Sequence, residues 1–168
     1  MTDFSGINRY TSTYEEVGVV RLYGIYKVKK EYEPFVIGRE QLLYDLLKEN
    51  GEQSNDLKEI HYLCDVIEPE VIDEAILSNL SKVFETIERE NGEYKLTHPV
   101  KGSILISLSA YSLSVYCDGS RMLDLDLFVA LSEVDSRFFA VMDNNGEWGW
   151  LKPIKFSDSE RKTAAIFR

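Results

Sequence analysis

The chain has 168 residues, 44% of them hydrophobic and 29% charged, with 19 basic against 29 acidic side chains and a formal net charge of −10. That length sets a single globular domain over 1–168 as the expectation, and the apolar content excludes an intrinsically disordered chain. The acidic balance argues against a nucleic-acid partner, which needs a basic face to neutralise phosphates, and no apolar run approaches the roughly 18 residues of a membrane span.

The opening MTDFSGINRY lacks the basic-then-apolar form of a secretory signal, so a cytoplasmic location is expected. Residues 1–15 carry no periodic signal and read as a flexible N-terminal arm, unless Phe4, Ile7, Tyr10 and Tyr14 pin it to the body. Val17 to Lys29 is rich in Val, Ile and Tyr and reads as a strand, apolar on both faces and so covered on both sides. Glu31 to Pro34 reads as a loop. A helix is predicted over 38–50, with Leu42, Leu43, Leu46 and Leu47 as its stripe and Asn50-Gly51 as its stop.

Leu57 to Ile67 fits two periods, and the alternation of Ile60, Tyr62, Cys64 and Val66 favours a strand over 59–66. Pro69 opens a second helix, predicted over 69–91, with Ile72, Ile76, Leu80, Val83 and Ile87 inward and Asn91-Gly92 as its end. Glu93 to Thr97 reads as a short strand.

Ser103 to Cys117 is the longest stretch with a period of two. Ile104, Ile106, Leu108 and Ala110 fall at the even positions, three of the four odd ones are Ser103, Ser107 and Ser109, and after Tyr111 the phase shifts to Leu113, Val115 and Cys117. A one-residue slip would turn the second half inside out. Either a β-bulge near Ala110 to Ser112 or a tight turn resolves it, and the lack of Gly, Asn or Pro at the slip favours the bulge. Asp118-Gly119 reads as a turn, and Met122 to Leu131 as an alternating strand in a hairpin with the central stretch. Arg137 to Met142 and Glu147 to Leu151 form a hairpin across Asn145-Gly146, and Ser157 with Glu160 suggests a short terminal helix. Together these elements predict an α+β fold, with a mainly antiparallel sheet of about six strands and the helices at 38–50 and 69–91 on one face.

The pattern Asp124-Leu125-Asp126-Leu127 places two carboxylates on one face of the expected strand, where they either face solvent or hold a divalent cation for a phosphate-bearing substrate. His61-x-x-Cys64, His98 and Cys117 include zinc-ligand types, but on a strand His61 and Cys64 point apart. Cys64 and Cys117 sit in apolar runs and read as buried, inert thiols. No nucleophile elbow, Walker or Rossmann glycine pattern is present, so no cofactor is implied and an enzyme is the lesser reading. Trp148 and Trp150 share one strand face, as core or as contact anchors, with Asp143 and Glu147 nearby.

In size, acidity, lack of a signal and lack of a catalytic constellation the chain resembles the small cytoplasmic immunity proteins that neutralise bacterial toxins. The expected function is a non-enzymatic acidic binding protein that inhibits or regulates a basic partner protein through Trp148, Trp150, Asp143 and Glu147. The alternatives are the metal-dependent enzyme built on Asp124 and Asp126, and a structural subunit or homodimeric adaptor.

Overall fold

The computed structural model describes residues 20–49, 58–142 and 146–152. In chain order these form β1 (Val20–Lys27), a 3-10 turn (Lys30–Tyr32), α1 (Glu33–Val36), α2 (Glu40–Glu49), α3 (Lys58–Leu63) and α4 (Pro69–Leu80). There follow β2 (Thr86–Glu90), β3 (Glu93–His98), β4 (Gly102–Leu108), β5 (Leu113–Gly119), α5 (Arg121–Ser132), β6 (Phe138–Met142) and β7 (Glu147–Trp150). The seven strands make one antiparallel sheet in the order β2-β3-β4-β5-β1-β6-β7. The α+β class with an antiparallel sheet is therefore as expected. Its first strand in sequence, β1, lies inside the sheet between β5 and β6; its second half is covered on both faces as expected, whereas its start, at Leu22, is covered on one face only.

The central stretch is a hairpin and carries no bulge. β4 and β5 pair from Gly102↔Gly119 to Leu108↔Leu113, and Ser109 N–H donates to the Ser112 carbonyl at 2.9 Å. Four loop residues bring the chain back with its core parity reversed, so even positions face inward on β4 and odd ones on β5. A four-residue hairpin loop built on ordinary backbone angles needs no glycine. At the other end of the pair Gly102 and Gly119 have φ of +124° and +128°, and a Cβ on either would lie 2.1 Å from a facing carbonyl oxygen. Only glycine allows that approach.

Three further expectations are corrected. The helix opened by Pro69 stops at Leu80, and Thr86–Glu90 is strand β2. Asn91 and Gly92, with φ of +54° and +78°, turn a hairpin into β3 where a helix stop was expected. The stretch 122–131 is helix α5: Leu123, Leu127, Phe128, Ala130 and Leu131 are buried at helical spacing, and Ser120 accepts from the Met122 N–H as N-cap. The expected strand over 59–66 is the short helix α3, followed by a single bridge between Cys64 and Val28.

Two cores flank the sheet. α4 and α5 cover one face over Tyr23, Ile25, Leu96, Ile104, Ile106, Val115 and Phe138. The predicted helix over 38–50, here α2, lies on the opposite face with α3, over Tyr26, Val28, Phe139, Val141 and Trp150. Under the first layer Arg21 and Asp124 form a buried two-pronged ion pair (Nε–Oδ2 2.7 Å, Nη2–Oδ1 2.8 Å), and Tyr23 donates its hydroxyl to the same carboxylate. Arg21 also donates to the Gly119 and Ser120 carbonyls, so this one side chain ties β1 to the start of α5. The expected arm over 1–15, Asn145 and the terminal helix near 158–167 lie outside the described residues.

Candidate protein-binding surface

Phe35 and Tyr62, 60% and 61% accessible, are the exposed aromatic side chains among the described residues. They sit on α1 and α3, the two short helices that follow and flank the end of β1. The segment read as a loop at 31–34 is in fact a 3-10 turn running into α1, with Pro34 in the first turn of the helix, where its missing N–H costs nothing. Val36 points into the second core and Phe35 points out. Gly38, at φ +91°, lets the chain reverse into α2.

α3 is positioned by backbone as well as by packing. Lys29 N–H donates to the Leu63 carbonyl and Asp65 N–H to the Lys27 carbonyl, both at 2.8 Å. Ile60 and Cys64 face inward, which sends Tyr62 to the surface. His61 stacks on Tyr111 of the β4–β5 turn at 4.2 Å.

The Tyr32 ring lies 5.0 Å from that of Tyr62, and a hydrogen bond between their hydroxyls pushes the Tyr32 pKa up to about 12. The Arg39 guanidinium sits 4.6 Å over the Phe35 ring and donates to the Phe35 carbonyl at 2.7 Å. Leu42, 66% accessible, follows on α2. The Tyr32–Tyr62 pair and the Phe35–Arg39 pair, with Leu42, thus carry aromatic and aliphatic area and one held cation across four helical segments. Tyr and Arg carry a large share of binding energy where partners desolvate them, and a rigidly held aromatic costs little side-chain entropy to immobilise. Lys30 and Lys58 are exposed beside Glu31 and Glu59, so the margin is of mixed charge.

The residues expected from the sequence are placed differently. Trp150 is a core residue, 1% accessible, packed edge-on against Phe139 and donating to Glu40 Oε2 at 3.1 Å. Trp148 is half-buried, stacked on Phe139, and donates to Gln41 at 3.2 Å. Glu147 is half-buried beside it, and Asp143 lies outside the described residues. The two tryptophans do share a face, and that face is turned inward against α2.

Asp124 and Asp126 do not converge. On helix α5 they point apart: Asp124 is spent on Arg21 and Tyr23, and Asp126 pairs with Lys101 at 3.1 Å. The strand face that was to bring them together as metal ligands is absent. His98 accepts from the Val100 and Lys101 N–H groups and shapes the β3–β4 turn. No cluster of three metal-ligating side chains occurs among the described residues. Cys64 and Cys117 are buried free thiols, and burial pushes the Cys64 pKa up to about 12 and that of Cys117 well above the usual range.

Sequence reasoning missed Tyr32, Phe35 and Tyr62. The available signal was Pro34 followed by Phe35-Val36, a helix start with one large apolar side chain too many for its inward face. Tyr62 was hidden by reading 59–66 as a strand, which assigned it to the same face as Ile60 and Cys64.

Residues 21–155 match the model of a protein family described as sporulation inhibitor of replication protein SirA. A curated relative, the sporulation inhibitor of replication protein SirA of Bacillus subtilis (strain 168), is 23% identical over 143 residues, covering 80% of this chain and 95% of that relative.

Proposed function

The chain belongs to the SirA family of sporulation inhibitors of replication, and on that premise we propose that it is a non-enzymatic inhibitor that binds a protein of the replication machinery through Tyr32, Phe35 and Tyr62. The exposed aromatic surface carries this reading: side chains of that size are left in water beside a held arginine and inside the region shared with the family. Trp148 borders the same side of the molecule through Gln41 on α2 and extends the contact, whereas Glu147, one residue before it on β7, points to the opposite face of the sheet. The net charge of −10 favours a partner with a basic surface, because long-range attraction speeds encounter. The immunity-protein likeness shares this logic, a small acidic inhibitor seated on a basic partner. The family's name favours a replication protein over a toxin, and a cytoplasmic site of action follows from that.

The test is affinity capture with the full chain from cells entering sporulation, followed by titration of the captured partner. Capture of a replication protein, with binding weakened at least tenfold by Phe35→Ala together with Tyr62→Ala, is the expected result. Capture without sensitivity to these two changes would reject the surface, and a chain that captures no replication protein would reject the function. A second reading, a homodimeric adaptor, rests on Met122, Leu125 and Val129, about half exposed in a row along the outer face of α5. It calls for a dimer in light scattering that Leu125→Lys dissociates.

A further inference from the structure

α2 and α3 cover only part of their side of the sheet. Over β3, β4, β5 and the start of β1 the same face is open. Its middle row pairs Leu22 with Tyr116 and Tyr116 with Leu105, so three large side chains adjoin across three neighbouring strands. Leu22 and Leu105 are each 42% accessible and Tyr116 is half-exposed. Ser103, Ser107 and Ser114 stand around this row on the same face. Small hydroxyl side chains leave depth beside the apolar row, so a segment laid across it can set large side chains between them.

We propose that this face is the docking site of the chain's own N-terminal segment, residues 1–19, which packs Phe4, Ile7, Tyr10 and Tyr14 against Leu22, Tyr116 and Leu105. Three observations select this occupant. The segment joins the described chain at Val20, which is paired to Asp118 and lies on the open face two residues before Leu22. It therefore arrives at the edge of the row. Its length is ample: nineteen residues reach up to about 60 Å when extended, whereas β1 to β4 is two strand spacings, about 10 Å. Finally, the family match begins at Arg21, so the segment precedes the shared core and brings four large apolar side chains of its own. The open face of the shared sheet is an apolar surface within their reach. This inference does not depend on the aromatic surface, which lies beyond the far end of β1.

The experiment places the photo-cross-linking residue p-benzoylphenylalanine at position 4, 7 or 10 of the full chain, irradiates dilute protein and identifies the joined peptides by mass spectrometry. Intramolecular links to the peptides bearing Leu22, Leu105 and Tyr116 are expected, and Leu105→Glu should abolish them with no change in circular dichroism. In parallel, nitration of Tyr116 should be several-fold faster in a full-length chain whose Phe4, Ile7, Tyr10 and Tyr14 are all changed to Ser. Links between two copies, links to α5 or to the Tyr32–Tyr62 surface, or an absence of links would each overturn the proposal. So would equal nitration of Tyr116 in both chains, or cross-links showing segment 153–168 on this face instead.

Discussion

On one side of the sheet α4 and α5 lie against each other and close over apolar side chains of β1 and of β3 to β6; on the other, α2 and α3 close over the end of β1, β6 and β7 only. The first side is finished by a buried ion pair, and the cost of burying Arg21 and Asp124 is offset by a full set of hydrogen bonds. The second side is finished by aromatics, with Phe139 between Trp148 and Trp150. The difference teaches where this molecule can accept a partner. A closed layer leaves only aliphatic exposure on its outer side, as in the row along α5. The partial layer leaves short helices that must spend most of their residues on anchoring, and the side chains left over point outward as Tyr32, Phe35 and Tyr62. An antiparallel sheet tolerates such one-sided cover, because its uncovered face can be polar.

The comparison can be broken at its strongest point first. Asp124→Ala removes the carboxylate that balances the buried Arg21 charge beneath the first layer, and should cost about 3–5 kcal/mol in urea unfolding. A loss below 1 kcal/mol, of the order seen for surface pairs, would mean that water reaches the guanidinium and that this layer is not closed. Leu47→Ala, in the second layer, should cost about 2–5 kcal/mol, toward the lower end because a partial layer collapses more readily around a cavity. Ile76→Ala, under α4, is the matched control in the closed layer and should lose more. If Leu47→Ala proves the costlier of the two, the contrast between the layers is wrong.

A smaller effect is expected at the join between them, where Arg137 bridges Asp135 and Asp65 and donates to the Val28 carbonyl. Burial works against the Asp135 carboxylate, but hydrogen bonds from Arg137 outweigh it and hold its pKa below the usual value. A depressed carboxylate stabilises the fold above its unfolded pKa of about 3.9, and that contribution disappears as pH falls through the lower folded value. Asp135→Asn should thus cost up to about 1 kcal/mol at neutral pH, and the two chains should converge in stability in strong acid. Convergence at rising pH instead would contradict the direction assigned here. Smallest of all, Tyr62→Ala should leave stability within about 0.5 kcal/mol while it weakens partner binding. A large loss of stability would show that Tyr62 helps hold α3 and that the second side has little surface to spare.

Much of the sheet was legible where pairing is local. The Asn145-Gly146 hairpin, the strand after Asn91-Gly92 and the β1 stretch all carry their pattern within a few residues. The surface was less legible, because an outward Phe35 or Tyr62 is defined by what its neighbours bury, and that depended on reading α1 and α3 correctly. The tryptophans illustrate the reverse: two large side chains on one strand face signal contact of some kind, and only α2 shows that the contact is internal.

The sequence by itself determined the α+β class, the acidic charge, the phase shift at Tyr111 and the helix start at Pro69, since each rests on periodicity or on local backbone chemistry. Tertiary structure alone decided that 122–131 is a helix. Leu123, Leu127 and Leu131 satisfy both periods while Leu125 and Val129, half exposed on the helix, fit only the strand's, and the question is settled by burial of Asp124 against Arg21, 103 residues away in sequence. It also decided that the phase shift is a turn between two paired strands, because register is a property of the pair and cannot be read from one strand.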